Sequence, residues 1–211
     1  MKYLAGVDIS FVKDTNKACA MLSVLNYPEL SVAYQTYDIV EITEEYIPFY
    51  LAFREVRHLT RLFERVKLEH PEYYPQVVFV DGGGVWHPKG LGLASHLGVL
   101  LDIPTIGIAK SLLYLPDIPT TVTYESIRSQ MTPALSYFPI RGGSGTVYGG
   151  CVIPRLAATV EKPIFISVGH LLDLDTAVEL VHATAKYRIP EAIRAADGGS
   201  REVLRSMEDQ K

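Results

Sequence analysis

The chain has 211 residues, of which 48% are hydrophobic and 21% are charged, and its net charge is −4. These values are typical of a globular protein, and we expect a single domain over residues 1–211 with no membrane-spanning segment. The negative charge argues against a protein that bulk positive charge holds on nucleic acid, so a bound polyanion would need local basic groups and metal ions.

The two cysteines, Cys19 and Cys151, have apolar neighbours and are too few for a disulfide framework. They are predicted to be buried, reduced thiols. The first residues lead directly into an apolar run, without the basic region and cleavage site of a secretory signal. We therefore expect a protein of the cytoplasm or the nucleus, the nucleolus included.

Three strand-like runs open the chain, at residues 3–9, 18–25 and 31–40. Three strands in succession predict an antiparallel meander that precedes a parallel part of the sheet. Asp8 interrupts the first run and shares a face with Leu4 and Gly6, because residues two apart on a strand point the same way. It is the first of several carboxylates in apolar surroundings.

A helix is predicted from about residue 49 to residue 66, with an apolar stripe at helical spacing. Glu55 lies in this stripe, four residues after Leu51 and four before Leu59, so its side chain is expected to point toward the core. A salt bridge to an arginine is the common explanation for one such residue. Inward carboxylates from two strands and a helix instead require a compensating cation.

Residues 77–80 form the most apolar run, typical of a strand buried on both faces, and Asp81 ends it. Three glycines follow, which allow a ligand to approach the main chain, and a helical pattern begins after Pro88. Open α/β sheets bind ligands at this end of their strands. The alternative is a simple strand-to-helix turn in which the aspartate caps the helix.

A further buried strand, at residues 103–110, ends on Lys110, which is either a solvated strand end or a group that contacts a phosphate. Residues 114–145 are predicted to be irregular, apart from a helix at 124–131. Strands at 146–153 and 163–168 and a helix at 173–187 follow.

Two polar residues near the end of the chain have open roles. His170 follows a strand and is either hydrogen-bonded scaffolding or a metal ligand or proton carrier. Asp197 follows Arg194 by three residues and precedes Arg201 by four, so it is either part of a solvated ion-pair ladder or a fourth metal-binding carboxylate.

Several short blocks, spread in order over nearly the whole chain, form a specific pattern. They are Gly6-Val7-Asp8, Tyr46-Ile47-Pro48, residues 51–55 (LAFRE), Val80-Asp81-Gly82, residues 107–110 (GIAK), residues 166–170 (ISVGH) and residues 188–191 (RIPE). Together they resemble the endonuclease V family, inosine-directed nucleases of the RNase H-like superfamily. The resemblance implies an α/β, RNase H-like fold, with a mixed sheet of five or more strands (an antiparallel meander, then parallel strands) flanked by helices.

The resemblance also implies roles for residues of this chain. Asp8, Glu55 and Asp81 would bind Mg²⁺, for which Mn²⁺ is a possible substitute, with Asp197 as a further ligand, and Lys110 would lie beside the scissile phosphate. Tyr46, Ile47 and Pro48 would be the wedge that fills the gap left by an extruded base. The residues of the hypoxanthine pocket would be Leu51, Gly82, Gly83, Gly84, His87, Gly92 and Leu113. Phe49 departs from the family, because many members have Gly there, and it alters the pocket rim.

The implied reaction is hydrolysis of the second phosphodiester bond 3′ to inosine, preferentially in single-stranded RNA. Similarity of the segment around Asp197 to animal members favours RNA over deoxyinosine-containing DNA. The expected enzyme is a monomer without membrane association. The alternatives are a deoxyinosine-specific DNA repair endonuclease, another RNase H-like nuclease such as a junction resolvase, and a non-catalytic nucleic-acid-binding module.

Overall fold

The computed structural model describes residues 1–132, 135–155 and 162–209, which form one mixed sheet of eight strands and five α-helices. The strands are β1 (Tyr3–Phe11), β2 (Lys17–Asn26), β3 (Val32–Glu41), β4 (Val78–Asp81), β5 (Thr105–Ala109), β6 (Phe138–Arg141), β7 (Val147–Val152) and β8 (Ile164–His170). The helices are α1 (Leu51–Glu69), α2 (Leu93–Leu101), α3 (Tyr124–Gln130), α4 (Leu174–Thr184) and α5 (Glu191–Glu208).

The strand order across the sheet is β3-β2-β1-β4-β5-β8-β7-β6. Strands β1 to β3 form the antiparallel meander, and β1, β4 and β5 form the parallel centre. Strands β8, β7 and β6 extend the sheet in antiparallel orientation. The predicted fold, a mixed sheet that begins with a meander and is flanked by helices, is confirmed.

Alternating side chains of the central strands bury the two faces of the sheet against different helices. One face packs Val7 and Val80 against α1 and α2. The other face packs Leu4 and Phe79 into a cluster that includes residues of α4 and α5. The run at residues 77–80 is therefore apolar throughout because both faces of β4 are covered.

The contact between α5 and β1 depends on Gly6. A Cβ atom at this position would lie 2.1 Å from the carbonyl oxygen of Ala192, so only glycine lets the helix backbone approach the strand this closely. Helix α5 then continues along β1 and β2. The last helix of the chain is in this way brought to the end of the first strand.

Two elements were not predicted. Strand β6 lies inside the stretch that was expected to be irregular, and it is short, forms the edge of the sheet and contains Pro139, all of which weaken a strand pattern. Helix α5 contains Gly198 and Gly199, which lower helix propensity, so only a polar segment was predicted there.

Cys19 and Cys151 are free and buried, as predicted. Burial raises the pKa of the Cys19 thiol to about 11 and that of the Cys151 thiol to about 12, so both remain protonated at neutral pH. Among the residues that the structure describes, no helix combines the length and the apolar character needed to cross a membrane.

Candidate active site

Asp8 and Asp81 lie side by side at the carboxyl end of the parallel strands. Val7 of β1 pairs with Val80 of β4, so the next residue along each strand is an aspartate on the face that carries α5. Both line a cavity of about 630 Å³, which we call the carboxylate cavity. The two predicted strand carboxylates are therefore brought together by the register of the sheet.

Two serine hydroxyls hold one oxygen of Asp8. Ser200 of α5 donates a hydrogen bond of 2.9 Å to Asp8 Oδ2, and Ser10 of β1 donates one of 3.0 Å to the same atom. Burial raises the pKa of Asp8, the two hydroxyls lower it, and the charges of Asp197 and Asp81 raise it further. The hydroxyls thus orient a carboxylate that neighbouring carboxylates repel.

Glu55 reaches the same region from α1 and is 8% exposed. Its pKa is raised to about 8, mainly by burial and also by the charges of Asp8 and Asp81, although Arg54 lowers it. Within the described residues no arginine forms an ion pair with it. The salt-bridge alternative therefore has no support, and Glu55 is a buried acid that is electrostatically coupled to both aspartates.

Lys110 lies one residue beyond the end of β5, next to Asp81. Its Nζ is 2.5 Å from Asp81 Oδ2, and both residues line the carboxylate cavity. The lysine is therefore not simply a solvated strand end, because its charge is held against a strand carboxylate.

Asp197 also lines the carboxylate cavity, from the middle of α5. Its Oδ1 accepts hydrogen bonds from Arg201, at 2.8 Å to Nε and 2.7 Å to a terminal nitrogen. Arg194, the other expected partner, pairs with Glu191 instead. Asp197 thus has one partner of the expected ion-pair ladder and also belongs to the group of converging carboxylates.

The donor set suits a hard divalent cation, because all four candidate ligands are carboxylates, and three of them, Asp8, Asp81 and Asp197, line the cavity. No three acidic, histidine or cysteine side chains in the described part of the chain lie close enough to surround one ion together. Mg²⁺, however, keeps several waters and is commonly bound by one or two carboxylates together with substrate phosphates. The pair of strand aspartates is sufficient for such a site.

The wedge segment, Tyr46-Ile47-Pro48, is exposed just before α1. Tyr46 is 62% exposed and Ile47 is 51% exposed. The guanidinium of Arg54 lies 5.7 Å from the Tyr46 ring centroid and 5.2 Å from that of Phe11. Arg54, the residue before Glu55, therefore contacts the wedge and the end of β1 at once through cation–π interactions.

A small pocket of about 70 Å³, the base pocket, lies between the start of α1 and the start of α2. Its lining residues are Phe49, Leu51, Ala52, Gly83, His87, Leu91, Gly92 and Leu93. Four of the predicted pocket residues, Leu51, Gly83, His87 and Gly92, are thus brought together. His87 Nε2 is hydrogen-bonded to the carbonyl oxygen of Phe49 at 2.8 Å, which joins the two sides of the rim.

Three other predicted pocket residues do not line this pocket. The amide of Gly82 donates to Ile108 O, and that of Gly84 donates to Ser167 Oγ at 2.7 Å. The carbonyl of Leu113 accepts from Trp86 Nε1 at 3.1 Å. Of the three glycine amides, only that of Gly83 has no partner among the described residues.

His170 lies at the opposite end of the sheet from the carboxylates. It pairs with Thr105, the first residue of β5, whereas Lys110 follows the last. Its Nε2 is 3.7 Å from Asp102 Oδ1. The structure therefore does not bring His170 together with the other candidate site residues.

Four residues support the site and were not assigned a role from the sequence: Ser10, Ser200, Arg54 and Ser167. Two of them carried a usable signal. Ser10 follows Asp8 by two residues on one strand face, and Ser200 follows Asp197 by three residues on one helix face.

The sequence model of the family described as Endonuclease V matches residues 1–198. The chain is 43% identical to Endonuclease V of Mus musculus over 206 residues, which are 97% of this chain and 60% of the mouse protein. It is 44% identical to Endonuclease V of Homo sapiens over 207 residues, which are 97% of this chain and 72% of the human protein. The chain thus spans less than two thirds of the mouse relative.

Solved structures agree with these matches. The crystal structure of the catalytic domain of human Endonuclease V has a TM-score of 0.92 and 40% identity, over 100% of this chain and 85% of that one. Ciona intestinalis Endonuclease V, in complex with a 24mer DNA containing an inosine followed by a ribo-adenosine, has a TM-score of 0.89 and 36% identity, over 98% of this chain and 87% of that one. Since the matched residues include the whole carboxylate group and the base pocket, the chain belongs to the endonuclease V family.

Proposed function

We propose that the protein is a metal-dependent endonuclease that hydrolyses the second phosphodiester bond 3′ to inosine, preferentially in single-stranded RNA. The observation that carries this proposal is the meeting of carboxylates from β1, β4 and α5 with Lys110 in one cavity. The base pocket and the wedge segment are at the same end of the sheet, where α1 begins.

In this proposal Asp8 and Asp81 hold Mg²⁺, with Mn²⁺ as a possible substitute. Glu55 and Asp197 would complete the set of ligands by moving toward the ion when it binds, because no three acidic side chains of the described residues lie close enough as they stand. When bound, such an ion supplies an activated water and neutralises charge on the leaving oxygen. It would also favour the charged forms of Glu55 and Asp8, whose pKa is raised by burial and then by repulsion between the carboxylates. Ser10 and Ser200 keep Asp8 Oδ2 occupied and leave Oδ1 for coordination.

Lys110 acts on the phosphate. Its ammonium is fixed by Asp81 at the entrance of the carboxylate cavity, where it stabilises the additional negative charge of the pentavalent phosphate. Asp81 therefore both binds the ion and positions the lysine.

Inosine is recognised after it leaves the strand. The wedge segment fills the gap in the base stack, and the amide of Gly83 donates to the edge of the extruded hypoxanthine. Leu51 and Leu93 contact the faces of the base. The hydrogen bond between His87 and the Phe49 carbonyl crosses the rim of the base pocket, and in this proposal the rim opens when the base enters.

Two observations support RNA as the substrate. The relative from Ciona intestinalis was bound to a strand in which a ribonucleotide follows the inosine. A single strand also needs no duplex opening before the base is extruded, and the 2′-OH gives a means of distinguishing RNA from DNA. Deoxyinosine-containing DNA is the second candidate, because that strand was otherwise DNA.

The test uses matched RNA and DNA oligonucleotides, each with and without one inosine, incubated with Mg²⁺, Mn²⁺ or EDTA. We expect cleavage one nucleotide beyond inosine, faster in RNA, and none in EDTA. Asp81→Asn should abolish cleavage, and Asp175→Asn, an acidic residue on α4 away from the cavity, should not. Cleavage that ignores inosine would indicate a different nuclease, and cleavage of DNA alone would indicate the repair function.

We further propose that the enzyme acts as a monomer in the cytoplasm or the nucleus. A membrane partner is not part of the proposal. Size-exclusion chromatography with light scattering tests the oligomeric state.

A further inference from the structure

A second cavity, of about 550 Å³, begins at Lys110 and extends away from the carboxylates, and we call it the basic groove. It crosses the loop after β5 and reaches the start of β8 and of α3. Its charged and aromatic lining residues are Lys110, Tyr114, Tyr124, Arg128, Lys162 and Arg188, with buried Phe165 between them. None of the described residues that line it is acidic.

Arg188 is a lining residue of the groove whose side chain is held in place by hydrogen bonds. Its guanidinium donates to the carbonyl oxygens of Lys110, at 2.6 Å, and of Pro163, at 2.9 Å. These two residues flank the neighbouring strands β5 and β8. Arg188 therefore links the groove by a hydrogen bond to the end of β5, the strand that also positions Lys110 beside Asp81.

The charge of the groove differs from that of its surroundings. The lining of the carboxylate cavity contains as many acidic as basic side chains, and the whole chain has a net charge of −4. The groove instead combines four cationic side chains with two tyrosines, of which Tyr114 is 58% exposed. Cations that follow a backbone and aromatic rings that stack on bases are the common means of binding single-stranded nucleic acid.

We propose that the basic groove binds the nucleotides on the 3′ side of the cleaved bond, an inference that rests on the proposed function. The base pocket lies on the α1–α2 side of Asp81, and the groove begins at Lys110, on the next strand away from it. A strand with its inosine in the pocket and the scissile phosphate beside Lys110 continues in the 3′ direction past that lysine. The groove attracts phosphates there, whereas the carboxylate cavity has no excess of positive charge.

The test varies the length of each flank of an inosine-containing RNA. In the wild type, lengthening the 3′ flank from about two to about ten nucleotides should lower KM roughly tenfold, as expected for one stacked base with phosphate contacts. In the double variant Tyr114→Ala/Lys162→Ala, most of this decrease in KM should be lost. The matched control Tyr37→Ala/Lys67→Ala removes an exposed tyrosine and an exposed lysine on β3 and α1, and it should keep the decrease.

Other outcomes would overturn the inference. One is that the double variant loses the decrease in KM from a longer 5′ flank instead. The others are that its KM rises equally for short and long 3′ flanks, or that its KM does not change. If no inosine strand is cut, the proposed function fails, and the groove is then judged by fluorescence anisotropy with single-stranded RNA in EDTA. Binding must be weaker in the double variant, with a salt slope that is smaller by about 0.7 for each lost phosphate contact, and unchanged binding would refute the groove.

Discussion

Ser200 donates a hydrogen bond of 2.9 Å to Oδ2 of Asp8, and 192 positions separate the two residues in the chain. Ser10 donates to the same oxygen, and the two serine oxygens are 2.8 Å apart. The last helix therefore does more than cover the sheet, because one of its hydroxyls sets the orientation of the carboxylate on the first strand. Outer hydrogen bonds of this kind fix the direction of metal ligands.

Ser200→Ala should weaken the binding of Mg²⁺ and Mn²⁺ by about tenfold to a hundredfold, the usual effect of losing a residue that orients a ligand. Removing this hydroxyl also removes an interaction that lowers the pKa of Asp8. Isothermal titration calorimetry with each cation measures the affinity directly. Ser206→Ala is the control, because this hydroxyl lies on the same helix and, among the described residues, bonds only to Val203 O. Equal affinities in both variants would contradict a positioning role for Ser200.

The contribution of Glu55 to the stability of the metal-free protein should fall as the pH rises from about 4.5 to about 8. The pKa of Glu55 is about 8 in the folded protein, against 4.5 ordinarily. In this interval the folded state keeps a proton that the unfolded state releases, so each increase in pH favours unfolding. Asp8 acts in the same direction, since its pKa is also raised.

Glu55→Gln isolates this contribution because glutamine cannot ionise. In EDTA its Tm should exceed that of the wild type above pH 8, and the difference should shrink as the pH falls toward 4.5. Thermal unfolding followed by circular dichroism at several pH values measures it. A difference that does not depend on pH would show that Glu55 has an ordinary pKa in the folded protein.

Lys110→Ala should lower kcat by about a hundredfold to a thousandfold, the usual loss when one group that stabilises developing charge is removed. Binding of Mg²⁺ should not weaken, because the variant removes a cation that occupies Asp81 Oδ2. Single-turnover cleavage and calorimetry measure the two effects separately. Lys67→Ala, an exposed lysine at the far end of α1, should change neither. Weakened Mg²⁺ binding with an unchanged kcat would instead assign Lys110 to the structure of the metal site.

The convergence of the strand carboxylates could be predicted, and the approach of Ser200 to Asp8 could not. The apolar run before Asp81 requires a central strand, and parallel central strands place their ends together, so Asp8 and Asp81 follow from pattern alone. Ser200 depends on a helix that contains Gly198 and Gly199. A Cβ at Gly199 would be 3.1 Å from the side chains of Met21 and Gln35, so this helix is stabilised by tertiary packing rather than by propensity.

The base pocket was predictable only in part, for a similar reason. The family resemblance implied Gly83 and His87 as pocket residues, and both line one pocket just after the end of β4. The roles of Gly84 and Leu113 depend on where the loops carry them, and their backbone atoms are bonded to Ser167 and Trp86. A periodic pattern contains no information about such loop contacts.

Phe49, at the pocket rim, has an unfavourable backbone conformation. Its φ is +69°, in the left-handed region that a residue with a Cβ rarely adopts. Its carbonyl is bonded to His87, and its ring meets the His87 ring edge-on with centroids 6.0 Å apart. The strained conformation is thus maintained by contacts across the pocket.

Comparing Phe49→Gly with Phe49→Ala should reveal this strain, because both remove the ring and only alanine keeps the Cβ. The glycine variant should be more stable by about 0.5 to 1 kcal/mol, the left-handed penalty less the greater freedom of glycine in the unfolded chain. Urea unfolding at one pH measures the difference. At Glu64, an exposed residue inside α1, the order should reverse, and Glu64→Gly should be less stable than Glu64→Ala. If alanine is the more stable at both positions, Phe49 is not strained, and the opening of the rim cannot draw on strain stored in its backbone.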